Sequence, residues 1–156
     1  MVARCMPGYK GHLAGGLFFG IMGLVGAGLL GWLIIDPLIG AGLIGFCLLG
    51  ALFPDVDTDS KGQKLYYMVL AGVDFGLIVQ QQYMWAAWLG LLAMFPAMGS
   101  HRGWTHTWWA MLLVPLPILL IPAFIFEIEA AEPFVPFYLA FCAGYFSHLL
   151  LDGEFR

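Results

Sequence analysis

From Leu13 to Ile35 the chain runs without a single charged residue. A bilayer core asks for about 20 consecutive apolar residues in helical form, because each residue advances a helix by only about 1.5 Å. The run meets that length. It is too long for the apolar stretch of about 7–15 residues in a signal peptide. Although Arg4 and Lys10 precede it, no convincing cleavage site follows, so it is read as a retained first span.

The remaining composition agrees. The chain is 62% hydrophobic and 10% charged, where a soluble domain carries about a quarter charged residues. Lipid must therefore solvate much of the exterior. Most of the 21 glycines lie inside apolar runs, where they let helix backbones approach closely. There is no basic block for nucleic acid, and no nucleic-acid partner is expected. Cys5, Cys47 and Cys142 form no CxxC pair and are odd in number, so they are read as unpaired thiols.

Charges and turn residues predict an all-α bundle of six spans in a single membrane-embedded domain over residues 1–156. Span one closes at Asp36-Pro37. Span two is Leu38 to Phe53, closed by Pro54 and DVDTDSKGQK. Span three runs from Leu65 to about Val79, and span four from Tyr83 to about Gly99; both are short. Span five is Thr107 to Phe126, with kinks expected at Pro115, Pro117 and Pro122. After the acidic turn EIEAAEP comes span six, Phe134 to about Leu151. Gly23, Ala27 and Gly31 in span one, with Ala41 and Gly45 in span two, are expected on close-packing faces. The tryptophans and tyrosines near span ends, including Tyr66, Tyr67, Trp85 and Trp104, are expected to form an aromatic belt.

Six spans sort the charges cleanly. Arg4, Lys10, Lys61, Lys64, Arg102 and Arg156 all fall on one side, while Asp36, Glu127, Glu129 and Glu132 fall on the other. The positive-inside rule makes the basic side cytoplasmic, with both termini there.

All four histidines, His12, His101, His106 and His148, fall on that same side near span ends, as do Asp55, Asp57, Asp59 and Asp152. Histidine with carboxylate is the donor set that zinc or a similar divalent ion takes from a protein. His148 and Asp152 are four apart and share a helix face, although a helix-end hydrogen bond explains such a pair as readily. Asp55, Asp57 and Asp59 alternate after Pro54, but no glycine or glutamate follows at the positions an EF-hand needs. A solvated turn with Asp59 or Ser60 capping the next helix is the plainer reading of that segment. His101 and His106 flank a turn at HRGWTH, where Thr105 or Thr107 could cap the next helix. Asp59 is a candidate to hydrogen-bond a ligating histidine. Asp74, an acid inside an apolar span, is read as a helix-packing residue before a functional one.

The ordered blocks GH, LFPDVDTDSKGQK, SHRGWTHT and GYFSHLLLD resemble the YdjM-type family of membrane-bound, metal-dependent hydrolases. Thr107 stands where that family usually has serine, and the sequence stops four residues after Asp152, where members often continue. The HxxxD element is also similar to zinc-dependent phospholipases C and P1-type nucleases. The resemblance implies His12, Asp55, Asp57, His101, His106, His148 and Asp152 as metal ligands, with Arg102 beside them, and a bacterial or archaeal inner membrane as the location. The resulting expectation is hydrolysis assisted by a divalent metal, zinc by preference, of a phosphoester such as a phospholipid. Asp55 or Asp57 would be the general base, and Asp57 and Arg102 the catalytic candidates. The rival expectation is a small structural or assembly subunit of a larger membrane complex, with a structural or vestigial metal site.

Overall fold

A computed structural model describes residues 8–32, 36–57, 59–94, 96 and 104–153. It is all-helical among these residues. Helix α1 spans Tyr9–Leu29, α2 Pro37–Leu52, α3 Lys61–Val79, α4 Tyr83–Met94, α5 Trp108–Leu113, α6 Pro117–Ile125 and α7 Val135–Asp152. The stretches Tyr9–Leu29, Pro37–Asp57, Trp108–Ile125 and Ile128–Asp152 are long and apolar enough to cross a membrane. Helix α4 has only 12 residues, about 18 Å of helix at 1.5 Å per residue, short of a bilayer core of about 30 Å.

Local chemistry sets the boundaries. Asp36 caps α2 by accepting from the backbone N–H groups of Leu38 and Ile39 at 2.8 and 2.9 Å, and Pro37 follows in the first turn. Ser60, one of the two expected caps, accepts from Gln63 N at 3.0 Å and starts α3. Thr107 caps α5. The expected break in the fifth apolar stretch falls at residues 114–116, beside Pro115 and Pro117, and divides α5 from α6. Gly153, at φ 67°, ends α7 in the left-handed conformation that glycine adopts without strain.

The centre of the bundle is α1, α2 and α7. Helices α2 and α7 touch backbone to backbone. A Cβ on Gly144 would lie 1.8 Å from the Cys47 carbonyl oxygen, and one on Gly50 would lie 2.1 Å from that of Phe141. Only glycine fits at either point. Helix α1 closes the trio, with the Cys47 thiol donating to the Gly16 carbonyl at 3.1 Å.

This corrects the glycine faces expected from spacing. Gly23, Gly31 and Gly45 have no packing neighbour within 4 Å of a built Cβ among the described residues. The spacing marks small faces, but the tight contact lies on different glycines. Tyr66 also departs from expectation. It is buried, with its ring 5.9 Å edge-on to Phe53, and is a core residue instead of a belt residue.

Candidate metal centre

Four chain segments meet at one end of the bundle: the start of α1, the end of α2 with its following turn, the approach to α5, and the end of α7. Because α2 and α7 run the same way and α1 runs against them, His12, Asp55 and His148 reach the same level.

The turn after α2 is built to stay put. Phe53–Asp57 forms a 3-10 turn whose Phe53, Pro54, Val56 and Asp57 are buried, so it is not the solvated turn expected from its polarity. Phe53 is anchored among the rings of Tyr66, Trp104, Phe141 and Tyr145, at centroid distances of 5.7–6.4 Å. Gln63 Nε2 donates to the Val56 carbonyl at 2.9 Å and Ser60 Oγ to that of Asp55 at 3.4 Å. Asp55 and Asp57 are therefore presented by a fixed backbone.

His148 is wholly buried, and its Nδ1 lies 2.7 Å from the Ala51 carbonyl oxygen. A carbonyl only accepts, so Nδ1 carries a proton, and in the neutral ring Nε2 keeps its lone pair. The carbonyl is available because Ala51 stands in the last turn of α2, where helical carbonyls lose their partners, and Pro54 has no N–H to offer. Nε2 then faces Asp152 Oδ2 at 3.1 Å and Asp55 Oδ1 at 3.9 Å.

His106 is fixed by a similar device. Thr105 Oγ1 donates to Asp57 Oδ2 at 3.2 Å and lies 3.2 Å from His106 Nδ1. The hydroxyl has one proton. Given to Asp57, it leaves the oxygen to accept from His106 Nδ1–H, so His106 Nε2 is the free nitrogen. That nitrogen lies 3.9 Å from Asp152 Oδ2. Tyr145 OH donates to the Thr105 carbonyl, and both residues are fully buried.

His12, 2% exposed, places Nε2 3.5 Å from Asp152 Oδ1 and stacks its ring on His148. Two groups of ligand atoms result, His12 with Asp55 and His148, and His106 with His148 and Asp152; within each, the atoms lie within 4.8 Å of one another.

These groups could hold a metal ion, and the hydrogen bonding tests the fit. His148 Nε2 and Asp152 Oδ1 are buried and make no hydrogen bond among the described residues. With Nδ1 donating to Ala51, a neutral His148 turns the Nε2 lone pair toward the Asp152 carboxylate, 3.1 Å away. Buried acceptors in that arrangement are costly unless a cation or proton lies between them. The residues fit a divalent ion.

The structure thus brings together His12, Asp55, His106, His148 and Asp152. Asp57 stands behind them and reaches His106 through Thr105. Asp59 is exposed and pairs with Lys64 at 3.8 Å, away from the histidines, which corrects its expected role as a histidine partner. His101 and Arg102 lie outside the described residues. Asp74 joins neither ligand group; it is half-buried within α3, and its Oδ1 has no hydrogen-bond partner among the described residues. Thr105, Tyr145 and the Ala51 carbonyl were not singled out from the sequence as parts of the site. Their roles depend on tertiary contacts, and Thr105 carried only a capping signal that Thr107 fulfils instead.

Neither curated proteins nor solved structures include a significant match to this chain. A family model does match it, over residues 6–153, a stretch that includes every ligand described above, and on that match the chain belongs to the YdjM inner membrane protein family.

Proposed function

We propose that the protein is a membrane-bound, metal-dependent hydrolase acting on a phosphoester, such as a phospholipid, at the cytoplasmic face. The observation that carries this reading is the pair of histidines, His106 and His148, each with Nδ1 at hydrogen-bond distance from an oxygen behind it and each turning Nε2 toward Asp152. Holding the tautomer from behind is how proteins prepare imidazole for a metal. When bound, a divalent ion supplies Lewis acidity and lowers the pKa of a bound water toward about 7.

The other residues take roles from their positions. Asp57 is engaged by Thr105, so it holds His106 in place. Asp55, at the rim with 25% of its side chain exposed, is the aspartate placed to accept a proton from water. Arg102, by its place in HRGWTH, would hold an anionic oxygen of the substrate. His106 keeps 13% side-chain exposure. A site at the end of a membrane-spanning bundle would lie at headgroup depth, which favours an amphipathic substrate.

Sidedness rests on the positive-inside rule. It does not depend on whether α3 and α4 cross the membrane, since a two-helix hairpin returns the chain to its starting side in either case. Zinc is the proposed metal because histidine and carboxylate suit it.

A second reading is a structural metal centre in a small subunit of a larger membrane complex. The burial of His148 and His12, at 0% and 2% exposure, favours it. An assay separates the two. Zinc-loaded protein is offered a chromogenic phosphodiester and phospholipid vesicles, with His148→Ala as control. Hydrolysis abolished by chelator and by the substitution supports the enzyme. Metal bound without turnover across the panel supports the structural centre.

A further inference from the structure

We propose that the site holds two divalent ions side by side, bridged by the two oxygens of Asp152. The proposal rests on the metal-binding reading above and deepens it.

The evidence is the geometry of the rings. An imidazole lone pair lies in the ring plane, so an ion it ligates lies in or close to that plane. The rings of His12 and His148 are stacked, with centroids 3.7 Å apart and planes inclined by only 13°. Planes so nearly parallel do not meet within a metal–nitrogen bond length of about 2.0–2.1 Å. A single ion shared by both would sit out of each plane by roughly half the 3.7 Å separation. His106 and His148 differ. Their rings are inclined by 71° at 5.4 Å, so their planes cross, and both Nε2 atoms face Asp152 Oδ2.

The donors therefore sort into two sets. His106 Nε2, His148 Nε2 and Asp152 Oδ2 form one. His12, Asp55 and His148 form the other, and His12 Nε2 also lies 3.5 Å from Asp152 Oδ1; with His148 assigned to the first ion, His12, Asp55 and Asp152 Oδ1 are left for the second. His148 stands near both groups, but its Nδ1 is committed to Ala51, which leaves one nitrogen and one ion for it.

The test is stoichiometry, and it needs no substrate. The full chain, purified in detergent and stripped with chelator, is reloaded with Mn²⁺ and its bound metal counted by mass spectrometry. The electron paramagnetic resonance spectrum is then recorded. The expected result is two ions per chain with an exchange-coupled spectrum, falling to one uncoupled ion in His12→Gln. Asp55→Asn is a second variant with the same expectation, should the first not fold. One uncoupled ion per wild-type chain overturns the two-ion proposal and leaves the metal-dependent reading standing. Two ions retained in folded His12→Gln and Asp55→Asn overturn the sorting of ligands. Folded wild-type protein that binds no Mn²⁺, Zn²⁺ or Co²⁺ overturns both proposals.

Discussion

His148 Nδ1 lies 2.7 Å from the carbonyl oxygen of Ala51, and this one contact joins the packing of the bundle to the chemistry of its site. It forms because α2 and α7 meet without side chains between them at Gly50, next to Ala51, and at Gly144, one turn before His148. Moving the helices apart would release His148 to rotate or change tautomer.

Gly144→Ala should therefore damage the site from a distance. The new Cβ would fall 1.8 Å from the Cys47 carbonyl oxygen, and backbone cannot yield as a side chain can. Overpacking of this kind costs about 1–3 kcal/mol, and here both sides of the contact are helix. Thermal unfolding in detergent should show a lower midpoint than wild type, together with weaker zinc binding. An unchanged midpoint and affinity would mean that the close crossing is not needed.

Thr105 offers a finer test, because its hydroxyl links Asp57 to His106. Thr105→Val keeps the shape but leaves an Asp57 oxygen without its donor and His106 Nδ1 without its acceptor. Zinc affinity should fall about 10–100-fold, the usual effect of losing a group that orients a ligand. Thr105→Ser should restore it. Titration of all three proteins against a competing chelator measures this. Equal affinities for the valine and serine variants would remove the hydroxyl from the account.

Topology can be read by labelling. In a background without the native cysteines, Glu129→Cys should react with an impermeant reagent added outside intact cells, and Ser60→Cys should not. The reverse pattern would place the site on the outer face. Gln81→Cys then reports on α3 and α4: labelling from outside would support crossing by both helices and hence six spans.

Asp74 is expected to matter less than its position suggests. Asp74→Asn preserves the shape and should leave fold and zinc binding near wild type, measured by circular dichroism and metal content. Loss of activity in a folded, metal-loaded variant would show that the acid has a function of its own.

Much of this was legible in the sequence for a physical reason. Long uncharged runs, Asp36-Pro37 and the prolines after Thr107 are local signals, and they placed the helices, although α1 ends at Leu29, short of the expected Ile35, and the fifth stretch is two helices. The sorting of His12, Asp55, His106, His148 and Asp152 to one end followed from counting crossings. Partner identity was not legible. Gly23 and Gly45 have the same small-residue spacing as true contact glycines, and nothing local distinguishes Gly50 or Gly144 from them. Asp55 and Asp57 look equivalent in PDVDTDS. Only the fold turns one toward the histidines and the other toward Thr105.

The central claim is that imidazoles from three segments and carboxylates from two converge to bind divalent metal at one site. X-ray absorption at the zinc edge of reconstituted protein tests it most directly. The account predicts nitrogen and oxygen neighbours at about 2.0–2.2 Å, with the outer-shell scattering of imidazole rings, and loss of part of that scattering in His148→Ala. A shell of oxygen alone, or one containing sulfur at about 2.3 Å, would contradict it.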